Sequence, residues 1–219
     1  FLSTADKLGL SSIINDVIPN RNLKLSVYQH FLMQAIHQFN EPTSKKASIK
    51  WYKDSILPLI WHKEFSSPQT IMNQFDKLVT ATKDKIPKIE ERLCKRMIEV
   101  GVKPSTLLWD PTNFFTYITK GEDLPKKGNS KEKRYDKNIV NLGLVVSNEN
   151  IPLLHTVYEG NKRETKIISG IVDTIFKRMK SLGVDASNLV FVFDKGNNSK
   201  ENIEHIENKL PFIGSLRRN

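Results

Sequence analysis

The spacing of apolar residues changes character near residue 104, and that change limits the possible folds more than any other feature. Up to residue 103, apolar residues recur every three to four positions, the period of a helix face. Leu25, Tyr28, Leu32, Ile36 and Phe39 form one such run, and Pro42 ends it. A second run, over 49–61, carries Trp51, Tyr52, Ile56, Leu57, Ile60 and Trp61. A third opens at Ser67-Pro68, an N-cap followed by proline in the first turn, and continues through Ile71, Met72, Phe75, Leu78 and Val79. A fourth, over 86–100, holds Ile89, Leu93, Met97 and Val100 and stops at Gly101. Short amphipathic helices in succession predict an all-α domain over 1–103.

Beyond that point the apolar runs are short, unbroken and rich in Val, Ile and Phe, which predicts strands over 106–109, 139–146, 151–158, 189–193 and 212–216. The second and third are joined by Ser147-Asn148-Glu149-Asn150, so they predict a hairpin. Ile167, Ile168, Ile171, Val172, Ile175, Phe176 and Met179 keep helical spacing up to Gly183, and a polar helix is predicted over 199–209. The order is β, β–β hairpin, α, β, α, β. The fold class is therefore mixed α/β over 104–219, preceded by an all-α domain. The stretch 118–138 contains no element and is dense in Lys, Gly, Asp and Glu, which marks it as a functional or disordered loop.

Length and charge narrow the function. At 219 residues the chain makes one large domain or two small ones. Thirty-four Lys and Arg against 24 Asp and Glu give a net charge of +10, which points to a polyanionic partner such as nucleic acid. No apolar run approaches the roughly 18–20 residues that span a bilayer. A single cysteine, Cys94, can form neither an internal disulfide nor a Cys-type zinc site, and fits a reducing compartment. The five histidines never pair at metal-ligand spacing. Position 1 is Phe, so the true N-terminus is expected upstream.

Asp110 and Asp194 each follow a strand directly, after Leu107-Leu108-Trp109 and Val190-Phe191-Val192-Phe193. The carboxyl ends of strands in open α/β sheets are where ligands bind. Two carboxylates about 5 Å apart repel by about 3 kcal/mol at an effective dielectric of about 20, a cost that a divalent cation between them offsets. The plainer reading of either Asp alone is a turn former or helix cap. The run 126–134 (KKGNSKEKR) suits contact with a phosphate backbone, or is a solvated loop. After Asp194, Gly196 permits a sharp turn, and backbone N–H groups before the helix capped by Ser199 could meet a phosphate. Trp51 and Trp61 read as core, Glu201, Glu204 and Glu207 as a solvated face, and His155 and Cys94 as structural.

Four stretches in order carry a resemblance. They are WDPTNFF around Asp110, the run 127–165 (KGNSKEKRYDKNIVNLGLVVSNENIPLLHTVYEGNKRET), FVFDKGNNSKENI around Asp194, and PFIGSLR over 211–217. Together they resemble the DDE transposases of prokaryotic insertion sequences, in the large branch related to the insertion sequence four type. The match covers about 104–219 well and the helical half loosely, chiefly the P-x-S-K at 42–45. The resemblance implies a ribonuclease H-like core, here partial, with a five-stranded mixed sheet and flanking helices. The Asp110 strand would lie at its centre, with the Asp194 strand parallel beside it.

It also implies a function: Mg²⁺- or Mn²⁺-dependent phosphodiester hydrolysis and strand transfer on double-stranded DNA, at transposon ends and target. Asp110 and Asp194 would be metal-binding acids in a two-ion site. Lys127, Ser130, Lys131, Arg134, Lys195 and Asn197 would contact DNA, and Asn161 and Thr165 would support the site. The helical domain would bind transposon ends or dimerise, and the protein would work as a homodimer in the prokaryotic cytoplasm, at the nucleoid. The family's third acid, a Glu, lies on a helix beyond the strand matched by 211–217. It is expected outside this chain, which is then incomplete at both ends and unable to transpose alone. The competing reading is a DNA-binding remnant without chemistry.

Overall fold

The computed structural model describes residues 1–19, 24–64, 67–79, 85–119, 123–197 and 199–214. It divides into two compact units, Phe1–Gly101 and Val102–Asn219.

The first unit is all helical among the described residues: α1 (Leu2–Lys7), α2 (Leu10–Val17), α3 (Val27–Asn40), α4 (Ala47–Asp54), α5 (Leu57–Trp61), α6 (Pro68–Val79) and α7 (Lys85–Glu99). The start of α3 is set by a capping box. Ser26 Oγ accepts from the Gln29 N–H, and Gln29 Oε1 accepts from the Ser26 N–H. Ser67 caps α6 by a single bond, its Oγ accepting from the Thr70 N–H at 3.3 Å. Helix α7 runs out before Gly101, which takes φ +108°.

Two features depart from the sequence reading. Helices α1 and α2 fall within the expected all-α domain but were not singled out as elements. Their short segments pack Ala5 and Ile14 with Ile18, Val27, Tyr28 and Leu32, and only that packing makes them stable. The run 49–61 is two helices, not one. Pro58 has no N–H to donate into a continuing helix, so the chain breaks at Ser55, which is extended, and restarts as α5 with Ser55 Oγ accepting from the Leu57 N–H. A second cluster of Leu25, Met33, Tyr52, Leu57 and Ile71 lies between α3 to α6, with Trp51 and Trp61 partly buried against it. Cys94 is buried.

The second unit holds a five-stranded mixed sheet: β1 (Thr106–Thr116), β2 (Asn138–Ser147), β3 (Pro152–Glu159), β4 (Val190–Phe193) and β5 (Phe212–Gly214), in the order β3-β2-β1-β4-β5. Strands β1, β2 and β3 pair antiparallel, while β4 runs parallel to β1 and β5 parallel to β4. This order and these directions are those of a ribonuclease H-like core, with β1 central. Residues 215 and 216, expected in the last strand, lie outside the described residues. The β2–β3 turn is closed by Ser147, whose Oγ accepts from the N–H groups of Glu149 and Ile151, with Asn150 at φ +59°.

One face of the sheet is covered: Ile139, Asn141, Gly143, Val145 and Ser147 alternate along β2 as fully buried positions. Leu107 and Trp109 of β1 and Phe191 and Phe193 of β4 share that burial. Helix α8 (Ile168–Ser181) supplies the complementary stripe of Ile168, Ile171, Val172, Ile175 and Met179, and Arg178 ties it to β3 through the Leu153 carbonyl at 2.7 Å. Helix α9 (Lys200–Glu207), capped by Ser199, buries Asn202 and Ile206 and exposes Glu201, Glu204 and Glu207.

Strand β1 is longer than its apolar run predicted, because Asp110, Pro111, Thr112 and Asn113 pair with β2 alone. Its partner β4 ends at Phe193, so Pro111 sits where the strand has one neighbour, the setting in which a residue without N–H is tolerated. The stretch read as a loop is also more ordered than expected. Lys126 exchanges both backbone hydrogen bonds with Ile139, and Gly160 N–H donates to Leu124. Only glycine allows this docking: a Cβ on Gly160 would lie 2.3 Å from the Ile139 carbonyl oxygen and 2.5 Å from that of Lys126.

Candidate functional site

The parallel ladder between β1 and β4 ends with Leu108 opposite Val192. Asp110 and Asp194 lie two residues beyond that pair on their respective strands, so the register sets them side by side at the carboxyl edge. Neighbouring strands are about 5 Å apart. Asp110 is exposed. Asp194 is exposed but held. Its Oδ1 accepts from the Gly196 N–H and from Asn197 Nδ2, both at 3.0 Å, as the chain leaves β4 through the 3-10 turn Lys195–Asn197. Asp194 is thus the turn former that the plainer reading proposed, and it faces the same edge as Asp110.

A third carboxylate stands beside them. Glu164, in the 3-10 turn Glu164–Lys166 that follows β3, was not singled out in the sequence. A Cβ built on Gly196 would lie 3.1 Å from Asp194 Oδ1 and 3.6 Å from Glu164 Oε2, so both acids converge on one point. Burial pushes the Glu164 carboxyl above its ordinary range, and the charges of Asp194 and Asp110 add to that. Lys131 and a hydrogen bond from Asn197 oppose it. Tyr158, buried nearby on β3, is pushed up to about 12 by its burial and by the Glu164 charge.

Buried amides hold these acids in place. Asn197 is 0% exposed and its Oδ1 has no hydrogen-bond partner among the described residues. Asn202, 4% exposed, donates from Nδ2 to the carbonyls of Thr165 (2.8 Å) and Asn197 (3.1 Å), and its Oδ1 accepts from Ser169. One side chain from the first turn of α9 therefore fastens the Glu164 turn to the Asp194 turn. The edge of β1 is fastened by Asn113, whose Nδ2 donates to the Asn129 carbonyl and whose Oδ1 accepts from the Lys131 N–H.

A cleft of about 530 Å³ opens on this point. Lys127, Lys131, Lys162 and Arg163 line it with positive charge, Asn113, Asn141 and Asn161 with amides, and Glu164, Thr165 and Gly196 form the wall beside Asp194. Lys131 Nζ hydrogen-bonds the Pro111 carbonyl, and Lys127 Nζ that of Tyr135 at 3.2 Å. Of the residues named from the sequence, Lys127, Lys131, Asn161 and Thr165 line this cleft, Asn197 bonds Asp194, and the two aspartates themselves are not among the lining residues. Ser130 and Arg134 are engaged elsewhere. Ser130 is 3% exposed and its Oγ accepts from the Arg134 N–H. The Arg134 guanidinium makes a two-point ion pair with Asp136, at 2.9 and 3.0 Å, and lies 4.7 Å from the Phe115 ring centre. That pairing holds the Asp136 carboxyl well below the usual range and raises Arg134. Lys195 opens its turn, and its side chain lies outside what the structure describes.

Glu164, Asn113, Asn141 and Asn202 are the residues sequence reasoning missed. The asparagines had a signal. Asn113 and Asn141 hold the covered-face parity of β1 and β2 and face each other across the ladder, and buried polar groups at such positions carry hydrogen bonds. Glu164 had none, since it lies 30 residues before Asp194 in a polar stretch.

The donor set fits a hard divalent cation, because carboxylate oxygens are the ligands that Mg²⁺ and Mn²⁺ take. Among the described residues, no group of three or more Asp, Glu, His or Cys side chains is placed to hold a metal ion. The charges of Asp194 and Asp110 both act on Glu164.

No protein-family model matches the chain, and no curated protein matches it. Among solved structures it is similar to the Mos1 transposase paired-end complex with left transposon end, at 9% identity and a TM-score of 0.36, covering 88% of this chain and 60% of that one. The Mos1 mariner paired-end complex with Mn gives 11% identity and a TM-score of 0.36, covering 97% and 67%. The Mos1 strand transfer complex gives 10% and 0.32, covering 88% and 60%. The likeness is too loose to bear on function.

Proposed function

We propose that the chain belongs to a transposase of an insertion sequence, which binds transposon-end DNA and catalyses divalent-metal-dependent phosphodiester hydrolysis and strand transfer. The observation that carries this reading is the shared register position of Asp110 and Asp194 at the carboxyl edge of the parallel pair, beside a cleft lined with lysine and arginine. The net charge of +10 and the four ordered sequence stretches support it. No helix among the described residues is long and apolar enough to cross a membrane.

Asp110 and Asp194 would hold the metal. When bound, the metal supplies a lowered pKa for the attacking water or 3′-hydroxyl and charge stabilisation for the leaving oxygen. Lys127, Lys131, Lys162 and Arg163 draw the phosphodiester into the cleft by neutralising its charge. Asn197 orients Asp194 through the bond to Oδ1. The Lys131 N–H bond to Asn113 keeps the basic loop against β1. The helical unit serves transposon-end binding or dimerisation, and the complete protein acts as a homodimer on chromosomal DNA.

A second reading, DNA binding without chemistry, rests on the net charge of +10 and the basic cleft, which need no catalysis. Asp110→Asn and Asp194→Asn decide between them in the full-length protein, assayed on transposon-end DNA with Mn²⁺. Loss of cleavage by a factor of at least about a thousand, with DNA affinity kept within about twofold, is expected. Undiminished cleavage in either variant, or no cleavage by the parent, rejects the enzyme.

A further inference from the structure

We propose that Tyr117 is a stacking platform for an unpaired base of single-stranded DNA, at the far end of the basic loop that lines the cleft. This deepens the functional reading and rests on its DNA partner.

The Tyr117 ring is exposed and yet held in place. Tyr117 follows β1 directly and is 71% exposed. Its backbone is tied on the far side: the Ile118 N–H donates to Thr116 Oγ1 at 3.2 Å, and Asn138 Nδ2 donates to the Ile118 carbonyl at 3.0 Å. Its ring meets that of Phe115 edge to face, with centres 5.9 Å apart, and Lys137 Nζ lies 4.7 Å from its centre. The Arg134 guanidinium lies 4.7 Å from the Phe115 centre, so the two rings stand between two cations. Asp136 pairs with both Arg134 and Lys137 and fixes them there. A ring ordered by such contacts loses little freedom when a base lies on it, and base–aromatic stacking tolerates any sequence.

Charge complementarity points to the same partner. Residues 126–137 carry six Lys and Arg against two acids, Glu132 and Asp136. Lys127 and Lys131 line the cleft at one end of this loop, and Arg134 and Lys137 meet the rings at the other. Strand β1 ends at Thr116, about 20 Å from Asp110 at the rise of a strand. The loop gives the phosphates of one strand a cationic track from the cleft to Tyr117. An unpaired strand can turn a base onto the ring, whereas a duplex keeps its bases stacked inside.

The alternative is that the rings only pin the loop to β1. The test is fluorescence anisotropy of the 219-residue chain with a labelled single-stranded oligonucleotide and with its duplex. Tyr117→Ala is expected to weaken single-strand binding by about tenfold and duplex binding by less than about twofold. Tyr117→Phe keeps the ring and is expected to keep the parent's affinity for both. Phe39→Ala, which removes a 75% exposed ring from the helical unit, is the control and is expected to change neither. If circular dichroism shows Tyr117→Ala unfolded, Tyr117→Leu takes its place, since it keeps apolar bulk against Phe115 but has no π face. Unchanged single-strand affinity in the ring-less variant, or equal losses on single strand and duplex, overturns the platform. A loss in Tyr117→Phe as large as in Tyr117→Ala also overturns it, because the hydroxyl and not the ring would then make the contact. In each of these cases, weaker DNA binding by the double variant Lys127→Ala and Lys131→Ala leaves the basic cleft standing. A parent chain that binds neither form of DNA overturns both the platform and the functional reading.

Discussion

Asn202 shows how much of the site depends on a residue that touches no substrate. Its amide satisfies the Thr165 and Asn197 carbonyls and its oxygen accepts from Ser169, all in a position 4% exposed. Truncation leaves buried carbonyls without partners, which costs roughly 1–3 kcal/mol. Asn202→Ala is therefore expected to lower unfolding stability by about 2 kcal/mol in urea titration. A stability loss below about 0.5 kcal/mol would mean that water replaces the amide at no cost. Asp110 and Asp194 could be picked out from the sequence because each directly follows an apolar strand. Glu164 could not, because nothing in a string of polar residues tells which one folds back onto a strand end.

Helices α8 and α9 are joined by a cluster that has no part in the chemistry. Asp173 accepts from His205 Nε2 at 2.8 Å and from Lys209, and Lys209 and His205 lie 2.8 Å apart. The hydrogen bond from Lys209, then that from His205, depresses the Asp173 carboxyl below its ordinary 3.8. A depressed acid stabilises the fold above its unfolded pKa, and that contribution is lost as the pH falls through the lower folded value. Unfolding stability should therefore decline below about pH 4, by no more than about 1 kcal/mol from this group, because the Asp173 side chain is 38% exposed and solvent-screened. Asp173→Asn is expected to flatten that part of the stability–pH curve. An identical curve in the variant assigns the acid sensitivity to other carboxylates. At this scale the helical periods and strand runs located most elements. The misses were α1 and α2, too short to carry a period, the break at Pro58 inside one apolar run, and the β1 extension through Asp110 and Pro111.

For the whole molecule, the excess of ten positive charges predicts salt-sensitive binding to DNA of any sequence. Each phosphate neutralised contributes about 0.9 to the slope of log affinity against log salt. The double change Lys127→Ala and Lys131→Ala should reduce that slope by roughly 1–2, measured by fluorescence anisotropy between low and physiological salt. An unaltered slope would place the DNA away from the cleft. The sequence by itself determined the helical first half, the five strands and their order, the hairpin, and two aspartates at strand ends. These are local properties, written in the period of apolar residues and in turn chemistry within a few positions. That β4 lies parallel beside β1 was already implied by the resemblance; tertiary structure alone decided the register that aligns Asp110 with Asp194. It also decided that Gly128, Gly160 and Gly196 let loops approach closely, and that Glu164 arrives from the far side of the hairpin. Most of those contacts join residues far apart in the chain, up to 84 positions for Asp110 and Asp194, and no local pattern encodes such a meeting.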